Sequence, residues 1–379
     1  MTAFHTETGT DLKKAASFLE ADETVAIPTE TVYGLAGNAL HEKAVHKIFA
    51  AKKRPLYNPL IVHIKGLEEL DKYAKEIPAV AYHLFEHFSP GPLTIILPKK
   101  SIVPYVTTAG KADVAIRIPN HPLTLELLNQ LDFPLAAPSA NPFGYISPTI
   151  AEHVMKQLGG KIPYILDGGP CRQGLESTVI GFQDGVPFLH RLGALRLEEL
   201  QSFLPDIRFK MNDNTAPVSP GMLSQHYSPN TVMYLAEDLY PIINNNCSKK
   251  IGVISLSREY PEILPERMVI LSSNADLNEA APKLYAALHY LDSLELDMIL
   301  VERMPEYGMG LAWARALGEF GATITFAGNI EGRTQTTPLA VYLLLESDPE
   351  AAYALSFVLL AVCVAVLIAM RGSWMGRRS

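Results

Sequence analysis

Asp11–Glu20 carries apolar side chains at the spacing of one helical face, and the apolar run that follows, Thr24–Pro28 (TVAIP), is short and closed by proline. A helix and then a buried strand ending in a turn are predicted. The same alternation continues. His41–Lys52, Leu67–Tyr73, Ala79–Phe88, Pro122–Leu131 and Ile150–Gln157 have helical periodicity. Leu60–Ile64 (LIVHI), Leu93–Pro98 (LTIILP), Asp113–Ile118 (DVAIRI), Phe133–Ser139 (FPLAAPS), Tyr164–Gly169 (YILDGG) and Ser177–Phe182 (STVIGF) read as strands. Interleaved strands and helices predict an α/β sheet domain over residues 1–210.

Residues 211–230 (MNDNTAPVSPGMLSQHYSPN) have neither period and are rich in Pro, Ser and Asn, which marks a linker. Beyond it TVMYLA, KKIGVISLS, RMVILS and DMILVER read as strands, with a helix from about Leu277 to Leu294 before the last. A second, smaller, Rossmann-like parallel α/β domain over 231–312 follows. Gly308–Ile330 is apolar except for Arg315 and Glu319, and Ala351–Met370 contains no charge. That run is long enough to span a hydrocarbon core, so residues 351–370 are predicted as a C-terminal transmembrane helix. Arg371, Arg377 and Arg378 follow it, which favours a cytoplasmic C-terminus.

Composition changes this picture in two ways. The formal net charge is −8, with residues 1–230 nearly balanced (21 basic, 23 acidic) and residues 231–312 acidic (6 basic, 12 acidic). A broad phosphate-backbone-binding face needs a basic surface, and neither domain has the composition for one. Cys171, Cys247 and Cys363 lack metal-ligand spacing and cannot all pair, and the N-terminus interrupts any apolar signal run with charges. The bulk of the chain is expected to be cytoplasmic and without disulfides, with a tail that contacts a membrane.

Four stretches combine small, polar and basic residues at predicted strand ends, where open α/β sheets hold ligands: PTETVYGLA, KKRPLYNPLIVHI, APSANPFGYISPT and GLESTVIGF. None contains a phosphate-binding glycine loop, so a nucleotide here is held by side chains and turns. Lys52 and Arg54 stand two apart before Pro55; in the extended geometry favoured before proline both face one side and clamp a phosphate chain, or else they form a solvated basic turn. Arg117 lies inside the apolar run VAIRIP, where a charge must be paired or face an anion. His63 poses a weaker form of the same question. Glu30 and Glu176 are either acid/base groups or hydrogen-bond anchors.

Taken in order, PTETVYGLA, KKRPLYNPLIVHI, PGPLTIIL, VAIRIPNHP, APSANPFGYISPT, DGGPCRQGLESTVI and HRLGAL resemble the threonylcarbamoyl-AMP synthase (YrdC-domain) family from Met1 to about Ala312. PGMLSQHYSP with the second domain is similar to the longer, linker-containing form. The resemblance implies a YrdC-like twisted sheet and a nucleotidyltransferase reaction in which ATP, L-threonine and bicarbonate give threonylcarbamoyl-AMP, pyrophosphate and water. The product passes to a separate tRNA threonylcarbamoyl transferase that modifies adenosine 37, so tRNA is met only indirectly. Carried over by position, the resemblance implies threonine contacts at Thr31, His63, Arg117, the Ala137 backbone and Ser177. It implies ATP contacts at Lys52, Arg54, Asn58, Ser139, Asn141, Ser147 and Arg191, with Asp113 on the ATP side and Tyr227 of the linker closing over the site. Lys52 and Arg54 are the candidate catalytic pair. Mg2+ is expected on the triphosphate, with no protein metal cage.

The last segment departs from that family. Residues 313–379, with their ARALGEFGATITF stretch, resemble the C-terminal end of a molybdate-type ABC transporter permease, without the helices that would line a pore. Two further readings stand beside the synthase. One is an RNA-binding YrdC-like module without catalysis, and the other a transporter-derived membrane protein.

Overall fold

The computed structural model describes residues 4–209, 229–305 and 307–312. The predicted membrane helix, the permease-like segment, and most of the linker with Tyr227 lie outside them. Among the described residues no helix is long and apolar enough to cross a membrane.

The first sheet is built from β1 (Glu7–Gly9), β2 (Val25–Ile27), β3 (Gly34–Asn38), β4 (Ile61–His63), β5 (Leu93–Pro98), β6 (Asp113–Arg117), β7 (Leu135–Ala136), β8 (Tyr164–Leu166), β9 (Thr178–Gln183), β10 (Val186–Arg191) and β11 (Arg208–Phe209). Their order is β1-β8-β2-β3-β7-β4-β6-β5-β9-β10-β11. Parallel and antiparallel neighbours mix: β4 and β6 are parallel, while β7 runs against β4 and β5 against β6. Helices α1 (Leu12–Glu20), α2 (Glu42–Lys52), α3 (Leu70–Tyr73), α4 (Ala79–Phe88), α5 (Pro122–Gln130), α6 (Ala151–Leu158) and α7 (Leu197–Phe203) complete this part. In α1 the periodicity does what it predicts. Asp11 caps the helix by accepting from the Lys14 amide at 3.0 Å, and Ala15, Ala16 and Leu19 enter a core with Val25, Ile27, Leu127 and Leu166.

The smaller sheet has order β12-β15-β13-β14, with β12 (Met233–Ala236), β13 (Ile251–Ser255), β14 (Met268–Ile270) and β15 (Met298–Glu302). β13 pairs in parallel with both β14 and β15. Helices α8 (Tyr240–Asn245), α9 (Leu277–Ala280) and α10 (Leu284–Asp292) accompany it. Apart from Leu235–Glu237, the described residues of both sheets and their helices belong to one compact unit.

Two elements correct the pattern reading. The helix expected over Leu277–Leu294 is broken into α9, a 3-10 turn at Ala281–Lys283 and α10. Pro282 lacks the N–H that a continuous helix requires there. The strand expected over Phe133–Ser139 shrinks to Leu135–Ala136, because Pro134 and Pro138 cannot donate to a ladder and the chain after Ala136 forms a loop. Four strands that the pattern did not separate, β1, β3, β10 and β11, also appear. β3 is rich in Gly and Ala and too short of large apolar side chains to announce itself.

Candidate active site

One row across the first sheet sets the site. Leu135 of β7 faces His63 of β4, His63 faces Arg117 of β6, and Arg117 faces Thr94 of β5, which pairs with Val179 of β9. At this end of the strands the chain leaves the sheet in several loops, and they surround a narrow cleft. Thr31, Arg54, His63, Arg117, Ala137, Ser139, Glu176, Ser177 and Arg191 line it. Eight of these lining residues were sequence candidates for ligand contact, brought together from segments far apart in the chain.

On one side Arg117, only 4 % exposed, donates from Nη2 to Glu30 Oε1 and to Thr31 Oγ1, both at 2.8 Å. The other Glu30 oxygen accepts from the Asn120 amide at 2.9 Å. Glu30 is therefore the charge partner of Arg117 and an anchor. His63 is buried beside them; its ring nitrogen Nδ1 lies 3.3 Å from the Ile61 carbonyl, an acceptor only, so the proton in that contact sits on Nδ1. Burial, helped by the Arg117 charge, pushes the imidazole pKa down to about 3, so His63 is neutral at physiological pH. Ser177 completes this side. Its hydroxyl pairs with Thr94 Oγ1 at 2.8 Å and accepts from Arg191 Nη2 at 3.0 Å, and Arg191 Nε donates to the Ser177 carbonyl.

The other side is built by the end of α2 and the Ala-Pro-Ser-Ala-Asn-Pro loop. Lys52 is the last residue of α2, and its Nζ, buried in the protein, donates to the Ser139 and Asn141 carbonyls. In return the Phe143 amide donates to the Lys52 carbonyl at 2.7 Å. Arg54 donates from Nε to the Asn58 carbonyl at 3.1 Å and from Nη2 to the Pro59 carbonyl at 2.9 Å. Neither cation is a solvated turn residue. The extended placement expected for Lys52 and Arg54 is also corrected: Lys53 adopts φ 52°, and the Arg54 and Lys53 amides close onto the Phe49 and Ala50 carbonyls. This is a helix-ending Schellman turn, and the turn, with Lys53 exposed, brings Lys52 and Arg54 inward. Burial, and secondarily the neighbouring Arg54, holds the Lys52 pKa well below that of an ordinary lysine.

Two further candidates carry a direct signature of a missing contact. Asn58 is fully buried with neither side-chain polar atom hydrogen-bonded within the protein, and Asn141 Oδ1 is likewise unmatched, although Asn141 Nδ2 donates to Tyr145 O at 2.7 Å. Such groups cost stability unless something else satisfies them. Ser147, also buried, donates to Glu176 Oε1 at 2.8 Å. Asp113 does not join the cluster. It is exposed at the start of β6, whereas Arg117 ends that strand about 13 Å further along at the usual strand rise. Tyr227 lies outside the described residues.

Close backbone approach explains two glycines of the site. A Cβ on Gly34 would sit 3.2 Å from that of Ala137, and one on Gly193 would be 2.2 Å from the Glu176 carbonyl.

With this geometry the chain can be compared with known proteins. A family model described as "Telomere recombination" (Sua5, YciO and YrdC) matches residues 17–193, and one described as "Threonylcarbamoyl-AMP synthase, C-terminal domain" matches 195–314. A threonylcarbamoyl-AMP synthase of Pyrococcus abyssi is 42% identical over 316 residues, covering 79% of this chain and 91% of the relative. The chain belongs to the threonylcarbamoyl-AMP synthase family. A synthase of Bacillus subtilis is 39% identical over 312 residues, with 79% of this chain and 90% of the relative covered. The crystal structure of P. abyssi Sua5 complexed with L-threonine superposes with TM-score 0.78 at 38% identity, covering 85% of this chain and 99% of that one. The α/β fold with its two sheets is thus that of the family.

Residues that sequence reasoning missed lie mostly in the second layer of contacts. Thr94 was read only as strand, yet it holds the Ser177 hydroxyl. Tyr285 and His289 of α10 bond to Glu176 and to the Ser147 carbonyl. Their only sequence signal was two polar aromatic rings four apart, on one face of a helix that also carries Tyr290 and Asp292.

Proposed function

We propose that this cleft makes L-threonylcarbamoyl-AMP from ATP, L-threonine and bicarbonate, releasing pyrophosphate, and so supplies a separate transferase that modifies adenosine 37 of tRNAs. The observation that carries this reading is the division of one cleft into a charge-balanced side, where Arg117 is backed by Glu30, and a cationic side, where Arg54 lines the cleft and the buried Lys52 braces the Ser139 loop behind it. An amino acid zwitterion is neutral overall and suits the first; a polyphosphate is strongly anionic and suits the second.

Threonine lies against Thr31, His63, Arg117, the Ala137 backbone and Ser177. Its carboxylate meets the Arg117 guanidinium, and its hydroxyl is read by Thr31 or Ser177. ATP, brought in with Mg2+ as part of the substrate, lies along Lys52, Arg54, Asn58, Ser139, Asn141, Ser147 and Arg191, whose orphan asparagine atoms gain partners from it. Among the described residues no group of three or more His, Cys, Asp and Glu side chains could hold a metal ion. The threonine amine captures bicarbonate as a carbamate with loss of water, or CO2 with loss of a proton to solvent. A carbamate oxygen then attacks the α-phosphorus, the bond from that phosphorus to the bridging oxygen breaks, and pyrophosphate leaves with the electron pair. Lys52 and Arg54 stabilise the charge that accumulates on the phosphates, so the site works through position and electrostatics.

The chain organisation that accompanies this reading is a synthase domain over 1–210, a linker over 211–230, a smaller domain over 231–312 and an appended tail over 313–379. The enzyme domains work in the cytoplasm, where ATP and tRNA are available. The tail, whatever its relation to a membrane, takes no part in synthesis, consistent with family models that end by residue 314. Mass spectrometry of purified protein with ATP, threonine and bicarbonate tests the proposal. The expected result is threonylcarbamoyl-AMP with one pyrophosphate per adenylate, retained on truncation after Ala312. Pyrophosphate release that does not depend on threonine would refute it.

A further inference from the structure

Helix α10 belongs to the smaller sheet, yet its face made by Tyr285 and His289 is buried against loops of the cleft. Residues four apart lie on one side of a helix, so both rings project together. Tyr285, with no exposed surface, donates to Glu176 Oε2 at 2.7 Å. The other oxygen of the same carboxylate accepts from Ser147 Oγ at 2.8 Å. One helical turn on, His289 Nε2 lies 3.2 Å from the Ser147 carbonyl, which can only accept, so in that contact the nitrogen carries the proton. The His289 ring is itself fixed, stacked on His153 with centroids 3.9 Å apart and edge-on to Tyr145 at 5.8 Å. Below Tyr285, Asp292 at the end of α10 accepts from the Tyr145 hydroxyl and from the Thr231 amide. Ser147 is thus held at its hydroxyl and at its carbonyl by a chain of contacts that begins on another domain.

We propose that Tyr285 and His289 are positioning residues for the ATP side of the cleft, acting through Glu176 and Ser147. The inference rests on the assignment of Ser147 to ATP made above. Glu176 lines the cleft beside Ser177 with the buried Ser147 behind it, and a carboxylate free to rotate there would release the Ser147 hydroxyl and would itself repel phosphate. Two directed donors pin it. The smaller domain thereby forms part of the nucleotide site without touching the nucleotide.

The test is steady-state kinetics of the full chain with Tyr285→Phe, Ser147→Ala and the double variant, with thermal melting of each. Phenylalanine keeps the buried ring and removes one charge-assisted hydrogen bond. The KM for ATP should rise about tenfold, with the KM for threonine and the melting midpoint nearly unchanged. Adding Tyr285→Phe to Ser147→Ala should raise the KM for ATP less than twofold further, since both act through one contact. His289→Gln, which keeps an N–H, should retain more ATP affinity than His289→Ala. Three results would overturn the inference: an unmoved KM for ATP in Tyr285→Phe, a parallel loss of both substrates' affinity and of melting midpoint, or fully multiplicative effects in the double variant. If Ser147→Ala alone leaves the KM for ATP unchanged, the assignment of Ser147 fails first, and the two failures are told apart.

Discussion

The two sides of the cleft solve the same problem, a buried cation, in opposite ways. Arg117 is neutralised inside the protein by Glu30, and the pair is locked by Thr31 and the Asn120 amide. Lys52 is held by two neutral carbonyls, and among the described residues no carboxylate is paired with it. Carbonyl dipoles orient an ammonium but do not cancel its charge, and its lowered pKa reports the remaining cost. A side that keeps its own counter-charge is stable before any ligand arrives. A lysine held only by neutral dipoles still attracts an anion, and at Lys52 stability is traded for that attraction.

The sharpest way to break this comparison is to remove one group from each side. Lys52→Met should lower kcat/KM for ATP by roughly 10²–10³-fold, the usual loss for one preorganised charge-stabilising donor, while leaving the urea midpoint equal or higher. Glu30→Gln should do the reverse in stability, costing about 3–5 kcal/mol because the Arg117 charge stays buried without its carboxylate. If the two variants changed the midpoint in the same direction, the two sides would not differ as described.

Substrate choice sharpens the threonine side. A pocket that hydrogen-bonds a hydroxyl rejects the analogue lacking it, because its own polar groups are stranded, so valine should be used roughly 10⁴-fold less well than threonine, and serine should fall between them. Comparable turnover of valine and threonine in the pyrophosphate assay would remove Thr31 and Ser177 from hydroxyl recognition.

The smallest effect concerns pH. Burial lowers the pKa of His63 to about 3, that of His153 to about 3 and that of His289 to about 4, with Arg117 facing the first, and His289 and Lys156 facing the second. In the unfolded chain a histidine titrates near 6.5, so between that value and the folded one the unfolded state binds more protons. The stability these groups contribute is complete above about pH 6.5 and is lost as pH falls toward 4. Melting midpoints measured from pH 7.5 to 4.5 should fall, and His153→Gln should flatten the decline. An unchanged slope in that variant would show that other groups dominate the acid limb.

The contrast between the sides also shows what could be read early. Arg117 in VAIRIP was legible as a charge needing a partner, but Glu30 stood 87 positions away and could be named only as an anchor or an acid. Lys52 and Arg54 were legible as a pair, but the turn that aims them inward uses a left-handed Lys53, which no residue preference announces. Asp113 was carried over by motif position and lies exposed at the opposite end of β6 from Arg117, because motif order does not say where along a strand a residue meets the loops.

The sequence by itself determined the alternation of strands and helices, the two-sheet organisation and the ordered motifs of the family, since periodicity and turn residues act over a few positions. Tertiary structure alone decided how charge is shared out in the cleft, which asparagine atoms await a partner, and that Tyr285 and His289 reach Glu176 and Ser147. Those contacts join residues up to 142 positions apart, and a buried hydrogen bond or ion pair depends on where two chain segments end in space. No local pattern encodes that distance.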